Sequence, residues 1–352
     1  TVTSGGYIKR TPLIDFRSQR RGGKGMAGMQ TKDEDVVTTL FVANTHTQLL
    51  FFTTDGMAYK LKTWRLPLGG RTAKGKAIVN ILPIPVGVSI AAIMPVDVDE
   101  KEWDNLQIVF ATSAGDIRRN ALSDFTNVRS NGKIAMDLNE GIELVNARIA
   151  GEEDDVMLFT DSGRAIRFST TAVRVFKGRK STGVRGIKLL GKDKVVSMSV
   201  IRHFIATPDE RSAYLKMRRA VSGLVDEEGI SDEDDVNENA TISPERYAEM
   251  SASENLILTI TSGGAGKLSS SHDYPVRGRG GMGVAAMDKT MRGGAIVASF
   301  PVELEDQIML ATSNGQSIRV PVEGISFRSR SAGGVKVFDT KEKEEVVSVA
   351  WI

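Results

Sequence analysis

Two glycines recur at a near-constant distance along the whole chain, and few architectures accommodate that. The first lies in a Ser/Thr-rich turn: TSGGYIKR (3–10), TTDGMAYKL (53–61), TSAGDIRR (112–119), TDSGRAIRF (160–168), TSGGAGKL (261–268) and TSNGQSIRV (312–320). Its six copies are Gly6, Gly56, Gly115, Gly163, Gly264 and Gly315. A second glycine follows 17 to 20 residues later, at Gly25, Gly75, Gly132, Gly183, Gly283 and Gly334. A third phrase closes the copies, most legibly VVSMSV (195–200), IVASFPV (296–302) and VVSVAWI (346–352). Alternation in VMLFTDSGRAIRF predicts strand–turn–strand. The tips Asp55-Gly56, Ser162-Gly163 and Asn314-Gly315 suit tight hairpins. Six all-β units of roughly four strands predict a radial, propeller-like disc spanning 1–352. Two unrelated sandwiches would not repeat from end to end. In such a disc Leu40, Val42, Val109, Leu158, Ile257 and Leu310 are expected to face blade cores.

One interval breaks the pattern. Gly163 and Gly264 are 101 residues apart, which places an insertion at 202–254 between the fourth and fifth repeats. TPDE (207–210) is a capping box with Pro208 at the first helical position, and a helix is expected to run to Gly223. DEEGISDEDDVNEN (226–239) reads as an acidic loop, and SPERYAEM (243–250) as a second short helix. The insertion holds 13 Asp/Glu and 6 Lys/Arg, against 31 acids and 40 bases in the remainder. A net charge of +2 therefore hides a basic body with an acidic appendage, and a basic body points to a polyanionic partner.

Other chemistries find little support. There is no cysteine, which excludes disulfides and thiolate metal sites and fits a reducing compartment. His46, His203 and His272 lack ligand spacing. The longest apolar stretch, 84–96, is too short to span a bilayer. GKGMAG (23–28) and GRGGMG (278–283) match a dinucleotide fingerprint, but both fall on the repeat's second glycine and neither opens an amphipathic helix. GRTAKGKA (70–77) approaches a phosphate-binding loop but has Ala77 where magnesium needs a hydroxyl. Paired acids such as Asp154 and Asp155 are expected to be solvated or to bond turns.

Cations, in contrast, recur at matched positions. Around the second glycine lie Arg20, Arg21 and Lys24; Arg71, Lys74 and Lys76; Arg129 and Lys133; Lys177, Arg179, Lys180 and Arg185; Arg277 and Arg279; Arg328, Arg330 and Lys336. After the first glycine come Lys9, Arg10, Lys60, Lys62, Arg118, Arg119, Arg164, Arg167, Lys267 and Arg319. In a radial array equivalent positions share one circumference, so both sets are expected to form a basic stripe. Adjacent glycines allow close backbone approach and N–H contacts to phosphate. Base-stacking aromatics are sparse in these loops. That favours duplex DNA, bent and held by its phosphates, over single strands.

QRRGGKG at Gln19, Arg20, Arg21, Gly22, Gly23, Lys24 and Gly25 resembles the signature box of the DNA gyrase A C-terminal domain, part of a type IIA topoisomerase. LFVANTHTQLLFFTTDG (40–56), GKAIVNILP (75–83), DDVMLFTDSGRAIRF (154–168) and STGVRGIKL (181–189) are similar to that family in register. The likeness covers about 1–201 and 255–352, and the insertion departs from it. The resemblance implies a six-bladed β-pinwheel whose blades exchange strands and wrap duplex DNA with positive handedness. It also implies that this segment is non-catalytic and holds no cofactor, with the catalytic tyrosine, ATP and magnesium used elsewhere in the holoenzyme. The implied partners are the remainder of gyrase A, together with gyrase B, in the bacterial cytoplasm at the nucleoid. The opening Thr1 fits a piece of a longer protein. The alternatives are the equivalent domain of topoisomerase IV, which has fewer blades and a degenerate box, and a propeller scaffold for proteins.

Overall fold

Six small antiparallel sheets stand around an axis, one per repeat. The computed structural model describes residues 1–15, 35, 37–70, 72–223, 237, 239–288, 293–314, 316–341 and 343–351. Each sheet is built on the hairpin around the first glycine, for example Gln48–Thr53 with Met57–Lys62, or Asp154–Thr160 with Arg164–Ser169. The repeat's third phrase adds the inner strand: Ile90–Val96, Leu144–Ile149, Val195–Arg202, Ile296–Val302 and Val346–Trp351 pair back onto their own hairpins. In the first blade Val37–Thr39 does so, and the last inner strand packs beside it, which closes the ring.

The outermost strand is borrowed. Lys76–Ala77 of repeat 2 pairs with Tyr7–Ile8 of repeat 1, and Lys133–Ile134 of repeat 3 pairs with Met57–Lys62 of repeat 2. Val184–Arg185, Val284–Ala285 and Val335–Lys336 likewise cross to blades 3, 4 and 5. This exchange fixes both glycines. The carbonyl of Gly56 accepts N–H groups from Ala135 and Met136 of the next repeat, and that of Gly115 accepts from Gly186 and Ile187. Gly183 sits at φ +93°, where a Cβ would lie 2.2 Å from the Ile117 carbonyl oxygen.

Threonine is the third fixed element. Thr3, Thr53, Thr112, Thr160, Thr261 and Thr312 each stand three residues before a first glycine. Each hydroxyl accepts the N–H of the residue four positions on, at 3.1–3.3 Å. These bonds close the hairpin tips that the glycines turn.

The core lies between blades rather than within them. Leu50 and Phe52 pack towards blade 3 with Phe110 and Phe125, while Leu49 and Phe51 pack towards blade 1 with Ile8 and Ile78. A sheet sandwiched between two neighbours needs apolar residues on both faces. That is why QLLFFT and QIVFAT read as continuous runs rather than alternating ones. Val109, Leu158, Ile257 and Leu310 are fully buried as expected. Leu40 is half-buried and Val42 is 71% exposed, because the chain leaves the sheet after Thr39 and the next hairpin begins only at Gln48.

Among the described residues the insertion folds as two helices, α1 (Pro208–Val221) and α2 (Pro244–Ser253). The Thr207–Glu210 capping box is formed in both directions, and Gly223 follows the helix at φ +72°. The helices are docked on the disc. The Tyr214 ring stacks edge-on to His272 and beside Tyr247, each at 5.0 Å, and its hydroxyl donates to Glu254 at 2.8 Å. Arg218 pairs with Glu254 at 3.2 Å and covers the Phe327 ring of repeat 6. One expectation fails here. Asp154 does bond its turn, through the Gly151 N–H, but Asp155 is fully buried between Arg167 and His203, at 2.8 Å from each. The Arg167 cation of the next strand compensates its charge, and the His203 ring hydrogen-bonds its other oxygen.

Candidate nucleic-acid interface

The loops before the second glycines hug the outer edge of the preceding blade. Four of them begin with a parallel pairing to that blade's second hairpin strand or its end: Arg10 with Leu68, Arg119 with Val175, Arg167 with Val276 and Leu268 with Phe327. Each ends in the antiparallel exchange strand. What lies between bulges outward, and its inner side needs filling.

Part of the filling comes from Lys9, Arg118 and Lys267, cations after the first glycine, which contradicts their place in an outer stripe, whereas Lys62 and Arg319 of that set are exposed. Lys9, Arg118 and Lys267 are at most 1% exposed. The Lys9 amine donates to the Gly70 carbonyl at 2.9 Å. Lys267 donates to the carbonyls of Ser329 at 2.9 Å, Ala332 at 2.7 Å and Arg330. The Arg118 guanidinium donates to Arg179 O at 2.7 Å and to the carbonyls of Ser181 and Ala135, joining the loops of repeats 3 and 4. Burial, with Arg179 nearby, lowers the Arg118 pKa to about 10, so it stays charged at neutral pH. Burial lowers Lys9 as well. Lys60 and Arg167 are also engaged internally, with Glu100 and Asp155.

The loop cations divide differently. Lys76, Arg129, Lys180, Arg185, Arg277 and Arg279 are exposed. Lys74 is half-buried with its amine over the Tyr7 ring at 3.8 Å, and Arg328 is half-buried. Lys133 is half-buried, donates to Asp124 O at 2.6 Å, and has its pKa lowered by burial and then by Arg179. Arg179 is half-buried and bonds the Ile134 carbonyl. Arg330 departs from the expected rim. It is 3% exposed, with its guanidinium on Asp273 O at 2.7 Å and on the Ala285 carbonyl. Gln19, Arg20, Arg21, Gly22, Gly23, Lys24, Gly25 and Arg71 lie outside the described residues.

The loops form a linked series. Arg179 of loop 4 reaches Ile134 of loop 3. Arg279 of loop 5 donates to Arg185 O of loop 4 at 3.0 Å, and Gly280 N donates to Gly186 O at 2.7 Å. Arg330 of loop 6 reaches Ala285 of loop 5. The densest charge is on repeat 4: residues 162–192 carry nine Lys/Arg and no Asp/Glu. Among the described residues no three His, Cys, Asp or Glu side chains gather where a metal could bind, and no helix is long and apolar enough to cross a membrane.

A closed ring of strand-exchanging blades with basic loops on its outer edge defines a propeller-type repeat protein with a basic rim. The family model of the DNA gyrase C-terminal domain, a β-propeller, matches residues 1–44, 47–97, 107–150, 154–202, 255–303 and 306–350. These are the six repeats, and the insertion is left unmatched. DNA gyrase A of Granulibacter bethesdensis is 46% identical over 99% of this chain, and that of Rickettsia bellii is 43% identical over all of it. The chain belongs to the DNA gyrase A C-terminal domain family. It spans 38–39% of the length of these relatives. Two solved structures share the fold over the whole chain: a DNA topoisomerase IV C-terminal domain (TM-score 0.71, 22% identity) and a DNA gyrase A C-terminal domain (TM-score 0.67, 20% identity).

Proposed function

We propose that the chain binds duplex DNA along its outer loops and wraps it with positive handedness. Within a gyrase holoenzyme that wrap lets ATP-driven strand passage introduce negative supercoils. The carrying observation is the linked series of loops 3 to 6, with exposed Arg129, Lys180, Arg185, Arg277 and Arg279 and no acid across 162–192. Many weak phosphate contacts on a curved path can offset the cost of bending. Lys74, Lys76, Arg328, Lys133 and Arg179 supplement that path. Arg71 and the box Gln19–Gly25 belong to it on sequence grounds, whereas buried Arg330 and the inner cations hold the loops from behind. The remainder of gyrase A, its partner gyrase B, and a cytoplasmic, nucleoid-associated setting complete the reading.

Salt dependence tests it. Duplex affinity should fall steeply with salt, at a log–log slope of roughly −0.9 per phosphate neutralised. Replacing Arg185 and Arg277 with alanine together should lower the slope's magnitude by about 1.8. A slope near zero would favour a protein-binding scaffold instead.

A further inference from the structure

The inner cations also orient the loop backbone. A trans peptide carries its C=O and N–H on opposite sides, so a carbonyl turned inward to a buried cation turns the next residue's N–H outward. The Arg179 and Ser181 carbonyls face Arg118, which sets the N–H groups of Lys180 and Thr182 outward. The Arg330 carbonyl faces Lys267, which does the same for Ser331. None of these three N–H groups meets an acceptor among the described residues, and all three residues are at least partly exposed. The neighbouring peptide behaves differently. The Ser329 carbonyl also faces Lys267, but the Arg330 N–H that follows it is taken by Asp273 at 2.7 Å.

We infer that a buried cation makes the clamped loops of repeats 4 and 6 into backbone cradles for a phosphodiester. The N–H groups of Lys180 and Thr182, and that of Ser331, donate to the non-bridging oxygens of DNA phosphates. Backbone N–H groups freed on a turn can donate to an anion, and the buried charge behind them is only weakly screened by salt. Arg118 and Lys267 are thus positioning residues that never touch DNA. The inference rests on the duplex-binding reading of the rim.

Amide-resolved NMR of the whole 352-residue chain, titrated with a short duplex at low salt, tests this. The Lys180, Thr182 and Ser331 amide protons should move downfield on binding. In Lys267→Met the Ser331 shift should be lost while those of Lys180 and Thr182 remain. Lys267→Arg should restore it, since repeat 3 uses arginine at the matching position. If the duplex binds but the three wild-type amides stay in place, the cradle is wrong and the rim reading stands. A Ser331 shift that survives in Lys267→Met removes the cation's role. If no duplex binds, both fall. Should Lys267→Met not fold, the wild-type titration and Lys267→Arg still decide.

Discussion

Gly183 and Gly87 separate two reasons for a glycine. Both have positive φ, +93° and +83°, but a Cβ at Gly183 would meet Ile117 O at 2.2 Å whereas one at Gly87 meets nothing within 4 Å. Gly87→Ala should cost only the left-handed strain, about 1 kcal/mol. Gly183→Ala must also part the exchange strand from its host blade and should cost at least about 3 kcal/mol. Urea unfolding of the two variants measures the difference, and equal losses would contradict the interlocking role. The glycine positions were legible because they repeat. Their reason was not, since Gly183 and Ile117 are far apart in sequence. Residue type could not sort the cations either. A lysine inside a loop and one outside it read alike until Ser329 or Gly70, some sixty residues on, is placed against it.

Among the elements, the hairpins and both insertion helices could be read from turn and capping chemistry. The two-residue exchange strands could not, because too short a run leaves no period to detect. The insertion's acidity is also more local than its total suggests. Residues 224–239 hold eight acids and no base, outside or at the margin of the described segments, whereas α1 carries four bases and two acids. The docked helices place a titratable group at their seam. His272 donates through Nε2 to Met250 O at 2.7 Å, packs on Tyr214 and Phe204, and has its pKa lowered chiefly by burial. Glu254 pulls that pKa up, and Arg167 and Arg211 push it down. With the folded value below about 6.5, the unfolded chain takes up the proton first as pH falls. The stability His272 supplies is therefore present above pH ~6.5 and is lost below it. Thermal melting from pH 7.5 to 5.5 should show a smaller decline in His272→Phe than in wild type. Parallel declines would mean that His272 does not set the pH dependence of stability.

For the whole molecule, a net charge of +2 conceals the functional asymmetry, and only the repeat frame reveals it. That frame made six blades and a basic circumference legible. It placed the inner cations on the wrong side of the loops, and it could not show that neighbouring loops bond to one another. Under the proposed wrapping, the linked loops demand of the duplex a continuous curved path rather than separate contacts. The direct measurement is plasmid topology. Nicked circular DNA is sealed by ligase with increasing amounts of the chain, and the linking number is then resolved by gel. Positively shifted topoisomers should grow with protein and diminish when Lys180, Arg185, Arg277 and Arg279 are replaced together by alanine. An unchanged or negatively shifted distribution, with DNA demonstrably bound, would contradict the proposed wrapping.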